Sequence, residues 1–291
     1  MDANELLKKV RKIEIKTKGL SRNIFAGEYH SAFKGRGMTF SEVREYQYGD
    51  DIRDIDWNVT ARHNHPYIKV YEEERELTVV LLVDVSGSRL FGAEGIEKKE
   101  MIAEIAATLA FSASQNNDKI GVIFFSSKVE KFIPPKKGMK HILFIIRELL
   151  DFQPEEKGTD VGEALRYLTD ALKKRCTTFV ISDFIDSHDY YQPLSIASRK
   201  HDVTAIQVYD KRDTALPSVG LMCVRDLERG NECWIDTSSA KVRKAYGKWW
   251  YERQQLMTQT MSRCQVDYAS IATDDDYVKA LMGMFKKRGV K

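Results

Sequence analysis

The sequence predicts an α/β fold in which a doubly wound, mostly parallel sheet lies between two layers of helices. From residue 77 onward, short apolar runs alternate with longer segments that place apolar residues on one helical face. The first run, 77–83, is almost entirely apolar and β-branched, which is typical of a strand buried on both faces. Strands that alternate with helices in this way form parallel sheets covered by helices on both sides.

The other elements follow in chain order from the same two patterns. Amphipathic segments predict helices over 97–115, 141–150, 161–174, 190–199, 240–262 and 275–287. Apolar runs predict strands over 120–125, 129–133, 177–181, 203–209 and 265–271. Pro134 and Pro135 follow the second of these strands, which favours an edge position because proline has no N–H to donate to a neighbouring strand. A hairpin is expected near 219–236, turning at the Arg-Gly-Asn sequence of residues 229–231.

The first 76 residues differ from the rest and are expected to form an N-terminal elaboration packed on the main domain, 77–291. Apolar residues recur at helical spacing within 3–16, which predicts an amphipathic helix. This helix either packs on its own domain or serves as a docking helix. Residues 21–76 are polar, aromatic and rich in glycine and charge, which indicates loops and short strands.

Composition argues against several classes of function. The chain carries 46 basic and 43 acidic residues, and the net charge of +3 gives no electrostatic footprint for nucleic acid. None of the four cysteines forms a C-x-x-C pair, so we expect free thiols in a reducing cytoplasm. The first residues lack the basic-then-apolar order of a signal peptide, and the apolar runs are far shorter than a membrane span. We therefore expect a cytoplasmic protein that does not itself insert into a membrane.

A cluster of oxygen-bearing residues directly follows the most apolar strand. Asp84, Ser86 and Ser88 alternate along the chain, so their side chains can converge where the strand ends and the backbone turns. Gly87 allows a tight bend at this point. A carboxylate with two hydroxyls is a hard, all-oxygen ligand set that suits Mg²⁺ or Mn²⁺ rather than zinc. The alternative is that these serines cap the next helix.

Two distant segments offer further oxygen ligands. Thr159 lies in a loop just before a predicted helix, and Asp183 follows the end of another buried strand. In a parallel sheet, these segments and the one that begins at Asp84 emerge at the same edge. Ligand sites of open α/β sheets lie beyond the carboxyl ends of the strands, where the strand order reverses. The sequence therefore predicts a metal site at this edge.

The three segments together resemble the metal-ion-dependent adhesion site of von Willebrand factor A domains. The shared patterns are D-x-S-x-S from Asp84, T-x-x-G-x-A-L from Thr159 and S-D ending at Asp183. The resemblance implies a Rossmann-type, three-layer fold with Ser86, Ser88 and Thr159 as hydroxyl ligands, direct or through water. It implies that Asp84 and Asp183 lie close to the metal, often acting through water. It also implies that one coordination position stays open for a carboxylate of a partner protein.

A second resemblance lies upstream of the first strand. Its most distinctive part, from residue 44, reads Arg-Glu-Tyr-Gln-Tyr-Gly-Asp-Asp-Ile-Arg-Asp-Ile-Asp-Trp-Asn. This resembles the hallmark of a bacterial family of domains of unknown function, number fifty-eight in its naming series, and the resemblance extends over about 35–206. Members couple such a segment to a von Willebrand A-like domain and look like companions of MoxR-type AAA+ ATPases, beside which they are commonly encoded. Arg89 stands where the family often has methionine, and it is not among the implied ligands.

The hallmark segment, 35–62, has three possible roles on its residues alone. Its charged residues could form an ion-pair network that clamps the segment to the main domain. Its aromatic residues, with the same charges, could form a contact surface for the ATPase. A catalytic pair of carboxylates is the third possibility, although no nucleophile or base accompanies it. The charged residues concerned are Asp50, Asp51, Arg53, Asp54, Asp56 and Arg62.

The favoured hypothesis is a non-enzymatic, Mg²⁺-dependent interaction protein that works with a MoxR-type ATPase in assembling or maturing other protein complexes. The partner carboxylate would come from the ATPase or from its client. The alternative is a metal-dependent phosphoester hydrolase that uses the same ion as a Lewis acid. The pattern G-x-x-x-x-G-K-[ST] does not occur, so this chain is not itself a P-loop ATPase.

Overall fold

The computed structural model describes residues 39–63, 65–72, 77–87, 92–93, 96–225 and 232–289. The chain divides into two compact units, one of which comprises Lys34–Glu76, while the larger one continues from Leu77. The helix expected over 3–16, the expected ligand Ser88 and the expected hairpin turn at 229–231 lie outside the described residues.

The smaller unit is an antiparallel hairpin with two short helical segments between its strands. Strand β1, Thr39–Glu45, pairs with β2, Tyr67–Glu72. Between them lie a 3₁₀ turn, Ile52–Asp54, and helix α1, Trp57–His63. Loops and short strands were expected here, and the short helix α1 was not.

Local hydrogen bonds and ion pairs hold the smaller unit together. The guanidinium of Arg44 donates to both carboxylate oxygens of Asp50, at 2.9 and 2.8 Å. Asp51 caps the 3₁₀ turn by accepting from the N–H of Arg53, at 2.9 Å. Asp56 accepts from the N–H of Asn58 at the start of α1, also at 2.9 Å. These acidic side chains therefore fix the local backbone of the unit.

The larger unit contains a six-stranded sheet. In chain order its strands are β3 (Thr78–Asp84), β6 (Lys119–Phe125), β7 (Val129–Lys136), β8 (Thr177–Ser182), β9 (Asp202–Tyr209) and β12 (Asp267–Ala272). Their order across the sheet is β12-β9-β8-β3-β6-β7. All neighbours are parallel except β6 and β7. The expected doubly wound, mostly parallel sheet is confirmed.

Helices and two small hairpins complete the unit. The helices are α2 (Lys98–Gln115), α3 (Met139–Asp151), α4 (Val161–Ala171), α5 (Tyr191–Lys200), α6 (Ala240–Arg263) and α7 (Tyr277–Gly289). Strands β10 (Leu221–Arg225) and β11 (Glu232–Asp236) form the expected hairpin. A shorter hairpin of β4 (Gly92–Ala93) and β5 (Ile96–Glu97) was not expected. None of the helices in the described ranges combines the length and the apolar composition that a membrane span requires.

The core has two halves, one on each face of the sheet. Along β3, Val79 and Leu81 contribute to one half, while Val80 and Leu82 contribute to the other. Helices α2, α3 and α7 cover the first face, and α4, α5 and α6 cover the second. Because both faces are buried, every position of the strand must be apolar, which explains the unbroken apolar run in the sequence.

Strand β7 lies at one edge of the sheet and continues through Pro134 and Pro135 to Lys136. The expectation that it would end at residue 133 was wrong, because an edge strand accommodates prolines without losing interior hydrogen bonds. The strand approaches β6 so closely that a Cβ atom at Gly121 would lie 2.8 Å from the carbonyl oxygen of Ile133. Glycine is therefore required at this position. Helix α4 also ends earlier than expected, at Ala171 rather than at residue 174. The reason is that the backbone leaves the helical conformation at Leu172, which is extended.

Candidate metal site at the carboxyl edge of the sheet

Asp84 is the last residue of β3, the strand at which the chain reverses its direction of winding. Its side chain is buried, with the residue only 3% exposed. One carboxylate oxygen accepts a hydrogen bond from the N–H of Ser86 at 2.9 Å, and the other accepts from the hydroxyl of Ser182 at 2.6 Å. Asp84 is thus held by the turn that follows its own strand and by the neighbouring strand β8.

Asp183 directly follows β8 and is equally buried, at 5% exposure. Its carboxylate accepts from the N–H of Ile185 at 3.1 Å, and its carbonyl accepts from the side-chain amide of Gln207 at 3.2 Å. The next residue, Phe184, adopts a positive φ of 57°, which turns the chain sharply away from the strand. The hydroxyl of Ser182 accepts from the N–H of Phe184 at 3.0 Å and thereby stabilises this turn.

The carboxylates of Asp84 and Asp183 influence each other electrostatically. Burial raises the pKa of Asp84 to about 7, and the negative charge of Asp183 contributes to the same shift. Hydrogen bonds from Ser182 and Ser86 oppose the shift without cancelling it. Burial and the nearby charge of Asp183 therefore both disfavour the ionised form of Asp84.

Lys98, the first residue of α2, brings a buried positive charge to the same place. The residue is 3% exposed, and its ammonium lies 3.4 Å from a carboxylate oxygen of Asp183 and 2.7 Å from one of Asp213. Burial alone would lower the pKa of Lys98, but these two carboxylates raise it above its usual value. Lys98 is therefore charged and bridges the end of β8 to the 3₁₀ turn Lys211–Asp213 that follows β9.

Sequence reasoning missed Lys98 and gave Ser182 no role. One signal for Lys98 was available: a lysine in the first turn of a predicted helix opposes the helix dipole and so needs a compensating partner. Ser182 was visible only as the neighbour of Asp183, and its bond to Asp84 depends on the pairing of β3 with β8. Periodicity along the chain does not specify which strands are neighbours.

The loop before α4 brings Thr159 to the same edge. Thr159 and Ser86 are both buried. The N–H of Gly87, next to Ser86, donates to the carbonyl of Lys157 at 2.9 Å, which ties this loop to the turn after β3. Asp160 caps α4 by accepting from the N–H of Glu163 at 2.7 Å. Four of the five expected ligands thus lie at the carboxyl edge, and the fifth, Ser88, is outside the described residues.

A group of three ligand-type side chains lies beside Thr159 in the described ranges. Ligand atoms of Asp160, Asp186 and His188 lie within 4.8 Å of one another. The imidazole of His188 is 2.9 Å from the carboxylate of Asp186 and 3.3 Å from the carbonyl oxygen of Thr159. The pair with Asp186 raises the pKa of His188. Sequence analysis did not single out Asp186 or His188, because neither falls in a recognisable ligand spacing.

The donor set at the carboxyl edge suits a hard divalent cation. Asp84, Ser86, Thr159 and Asp183 offer only carboxylate and hydroxyl oxygens, the ligands that Mg²⁺ and Mn²⁺ prefer. The carboxylates of Asp183 and Asp213 share one ammonium, that of Lys98, and the carboxylate of Asp84 lies close enough to Asp183 to be affected by its charge. The residues that are present therefore fit a bound divalent ion in both chemistry and charge.

The fold and this edge define a doubly wound α/β domain with an acidic, oxygen-rich site at its topological switch point. The chain belongs to the family described as protein of unknown function DUF58, whose model matches residues 42–255. It is 28% identical to the uncharacterized protein Rv1480 of Mycobacterium tuberculosis, over 99% of this chain and 91% of that protein. It is also 27% identical to the uncharacterized protein YeaD of Bacillus subtilis, over 38% of this chain and 25% of that protein.

Two of the solved structures that match this chain do so at low sequence identity. BatB from Bacteroides thetaiotaomicron, described as a conserved hypothetical protein, is 17% identical with a TM-score of 0.47, over 74% of this chain and 100% of that one. The von Willebrand A domain of SpRpn10 is 10% identical with a TM-score of 0.41, over 73% of this chain and 95% of that one.

Proposed function

We propose that this protein is a metal-dependent protein-interaction module without catalytic activity. Its carboxyl edge would bind Mg²⁺, or Mn²⁺, and the ion would bind a carboxylate of a partner protein. The observation that carries the proposal is the joint burial of Asp84 and Asp183 at the switch point of the sheet. Two buried carboxylates that raise each other's free energy gain most from a cation that contacts both.

The charge of the site supports this role. The carboxylates of Asp183 and Asp213 share the single ammonium of Lys98, and Asp84 adds a third buried acidic group, so the edge has more acidic than basic groups for a divalent cation to balance. Mg²⁺ keeps several waters when protein carboxylates are few, and an incoming carboxylate can replace one of them. The residues of this chain would hold and orient the ion: Asp84 and Asp183 by charge, Ser86, Ser88 and Thr159 by hydroxyl oxygens.

We further propose that the partner is a MoxR-type AAA+ ATPase or a client of that ATPase, and that both act in the cytoplasm. This rests on the resemblance of the hallmark segment to a family whose members look like companions of such ATPases. Assembly or maturation of other protein complexes is the process that such a pairing favours.

A metal-dependent phosphoester hydrolase is the second candidate, and one observation favours it. The His188–Asp186 pair lies against the Thr159 loop, where an imidazole could serve as a general base. Against this, the raised pKa keeps His188 more protonated than a free imidazole, which weakens it as a base near neutral pH. A His188→Gln variant separates the candidates, because it would abolish phosphatase activity and would leave metal-dependent capture of a partner intact.

Titration calorimetry with Mn²⁺ tests the metal site directly. The wild type should bind one ion, Asp84→Ala should show no measurable binding, and Thr159→Ala should bind more weakly. Ser112→Ala is the matched control, because Ser112 is a buried hydroxyl on α2 that belongs to the core side of that helix. Equal binding by the wild type and Asp84→Ala would refute the metal site.

A paired assay then tests what the site is used for. The purified protein is offered the co-encoded ATPase, with Mg²⁺ or with EDTA, and in parallel generic phosphate esters with Mg²⁺. We expect EDTA-sensitive capture that Thr159→Ala weakens and Ser112→Ala does not, together with no turnover. Turnover that depends on Thr159, without capture, would replace the proposal by the second candidate.

A further inference from the structure

A groove lies next to the candidate metal site, between the loop after β8 and helix α6. It encloses a cavity of about 460 Å³, a size common for ligand pockets. Phe184, Met257 and Thr260 are largely buried and form its floor. Leu256 stands at its rim with 65% of its surface exposed, although a leucine at a helix surface is usually directed inward.

Helix α6 lines the groove with an ordered stripe of residues. Arg253, Leu256, Met257, Thr260 and Arg263 follow one another at intervals of three, one, three and three, which places them on one helical face. The stripe is apolar in the middle and carries a guanidinium at each end. Arg263 lies ten positions after Arg253, which corresponds to about 15 Å along a helix.

Both guanidinium groups are anchored within the groove. Arg253 donates to the carbonyl oxygen of Asp186 at 2.9 Å and lies 5.2 Å from the ring of Trp249. Arg263 stacks over the ring of Tyr191 at 4.5 Å. Stacking and a single backbone bond leave further N–H groups of each guanidinium able to bind an acidic group. Ordered arginines also lose less side-chain entropy on binding than mobile ones do.

The carboxylates of the opposite wall are already engaged. The side chain of Asp186 is fully buried and accepts from the N–H groups of Val161 and His188, at 2.9 and 2.8 Å. Asp189 accepts from the N–H of Tyr191 at 2.9 Å. The two carboxylates belong to the loop side, so the α6 side presents positive charge at both ends of an apolar centre.

The groove is continuous with the residues proposed to hold the metal. Its loop wall begins with Phe184, directly after Asp183, and Asp186 binds the first N–H of α4 two residues after Thr159. His188 contacts the carbonyl of Thr159 itself. If one carboxylate of a protein segment binds the metal, the adjoining residues of that segment would therefore lie in the groove.

From these features we infer that the groove binds an extended segment of the partner protein with an acidic, apolar, acidic order of side chains. An extended chain advances about 3.3 Å per residue, so about five residues span the distance between the two arginines. The acidic residues would bind Arg253 and Arg263, and an aliphatic residue between them would cover Leu256 and enter the cavity. This inference rests on the proposed function, because the same partner would supply the carboxylate that binds the metal.

Fluorescence anisotropy with labelled five-residue peptides tests the inference in EDTA, where the metal site makes no contribution. The probes are Glu-Ala-Leu-Ala-Glu, its basic counterpart Lys-Ala-Leu-Ala-Lys, and Glu-Ala-Ser-Ala-Glu, which lacks the apolar centre; alternate side chains of an extended chain share a face, so positions 1, 3 and 5 all meet the groove. We expect binding of the first peptide only. Arg263→Glu should weaken it about tenfold, because like charges then face each other, and should gain affinity for the basic peptide. Lys244→Glu, an exposed charge reversal on the same helix outside the groove, should behave as wild type.

The gain of affinity for the basic peptide is the decisive readout, because a merely unfolded variant would bind neither peptide. Leu256→Ser provides a second variant that keeps the charges, and it should weaken binding of the acidic peptide to the level of Glu-Ala-Ser-Ala-Glu. Absence of binding by the wild type, equal binding of the acidic and basic peptides, or equal behaviour of Arg263→Glu and Lys244→Glu would each overturn the inference. Failure of the metal site would instead appear in the Mn²⁺ titration, with peptide binding in EDTA unchanged.

Discussion

Buried polar side chains occur at both ends of the parallel strands, but the charge states of these side chains differ between the two ends. At the amino edge, the thiol of Cys176 lies 3.2 Å from Nδ1 of His201 and 3.4 Å from the hydroxyl of Thr178. Burial raises the pKa of Cys176 and lowers that of His201 to about 4. Near neutral pH both groups are therefore uncharged.

At the carboxyl edge, a buried positive charge remains, that of Lys98. Asp183 and Asp213 share the ammonium of Lys98, while Asp84 has hydroxyl and amide donors but lies close to the charge of Asp183. At the amino edge the buried cysteine and histidine are uncharged, although Nε2 of His201 has no hydrogen-bond partner among the described residues, whereas the carboxyl edge gathers more acidic than basic side chains. Burial of polar groups alone therefore does not indicate a binding site. Buried charged groups of unequal number are a much stronger indication of one.

Of the substitutions that test this comparison, replacement of Lys98 should change the unfolding free energy most. Lys98→Met leaves the carboxylates of Asp183 and Asp213 without their cation, and breaking a buried ion pair costs about 3 kcal/mol or more of unfolding free energy. Saturating Mn²⁺ should restore much of this loss, because the ion supplies the missing positive charge. Urea unfolding with EDTA and with Mn²⁺ measures both values.

Lys140→Met is the matched control for Lys98→Met, because Lys140 is exposed on α3. It should change the unfolding free energy by no more than about 0.5 kcal/mol in either condition. If Lys98→Met loses the same stability with and without Mn²⁺, the lysine is a structural ion-pair partner only, and the charge argument for the metal site is wrong.

The unfolding free energy of the metal-free protein should depend on pH in a way that reveals the raised pKa of Asp84. Its folded pKa, about 7, lies above the ordinary value of 3.8, so its contribution to stability is present below pH 3.8 and is lost as pH rises to 7. Relative to Asp84→Asn, which mimics the protonated group, the wild type should lose up to about 1.4 kcal/mol per pH unit within this window. Urea unfolding at several pH values without metal measures the difference, and a constant difference would contradict the prediction.

At the amino edge, His201 should make the unfolding free energy change with pH in the opposite direction. Its folded pKa, about 4, lies below the ordinary value of 6.5, so its contribution is present above pH 6.5 and is lost as pH falls towards 4. Relative to His201→Gln, the wild type should therefore gain stability as pH rises from 4 to 6.5, by less than about 1.4 kcal/mol per unit. Acid unfolding followed by circular dichroism tests this, and slopes of equal sign at the two edges would remove the contrast between them.

The smallest effect should come from a buried hydroxyl on a covering helix. The Oγ atom of Ser112, in the last turn of α2, has no hydrogen-bond partner among the described residues. Ser112→Ala should therefore leave the unfolding free energy unchanged or raise it, by about 0.5 kcal/mol, since no bond is lost. A loss above about 1 kcal/mol would indicate a partner for this hydroxyl and would make Ser112→Ala a poor control for the metal experiments.

Most of the fold could be predicted from the sequence, because both faces of the sheet are buried. A strand such as β3 must then be apolar at every position, and the covering helices must be amphipathic, so both patterns are strong. The boundaries were less predictable where the chain departs from a periodic pattern. Strand β7 continues through two prolines, and α4 stops at a backbone turn although an apolar residue, Leu172, continues its helical face.

The candidate site was predictable as far as it lies on strand ends. Asp84, Ser86, Thr159 and Asp183 each stand next to a predicted element, and parallel strands bring them to one edge. Lys98 and Ser182 became apparent only with the tertiary structure, because their partners are 85 and 98 residues distant in sequence. The groove beside the site depends on the approach of α6 to the loop after β8, which no local pattern specifies.

The two prolines of β7 have a consequence for assembly. The outer margin of a β-sheet exposes unpaired backbone groups, onto which a strand of another molecule can add, and such addition leads to aggregation. Successive residues of a strand direct their backbone nitrogens to opposite sides, and Pro135 lies against Gly121 of the inner neighbour, so the proline pair removes one donor from this margin. The missing donor makes addition of a further strand to β7 less favourable.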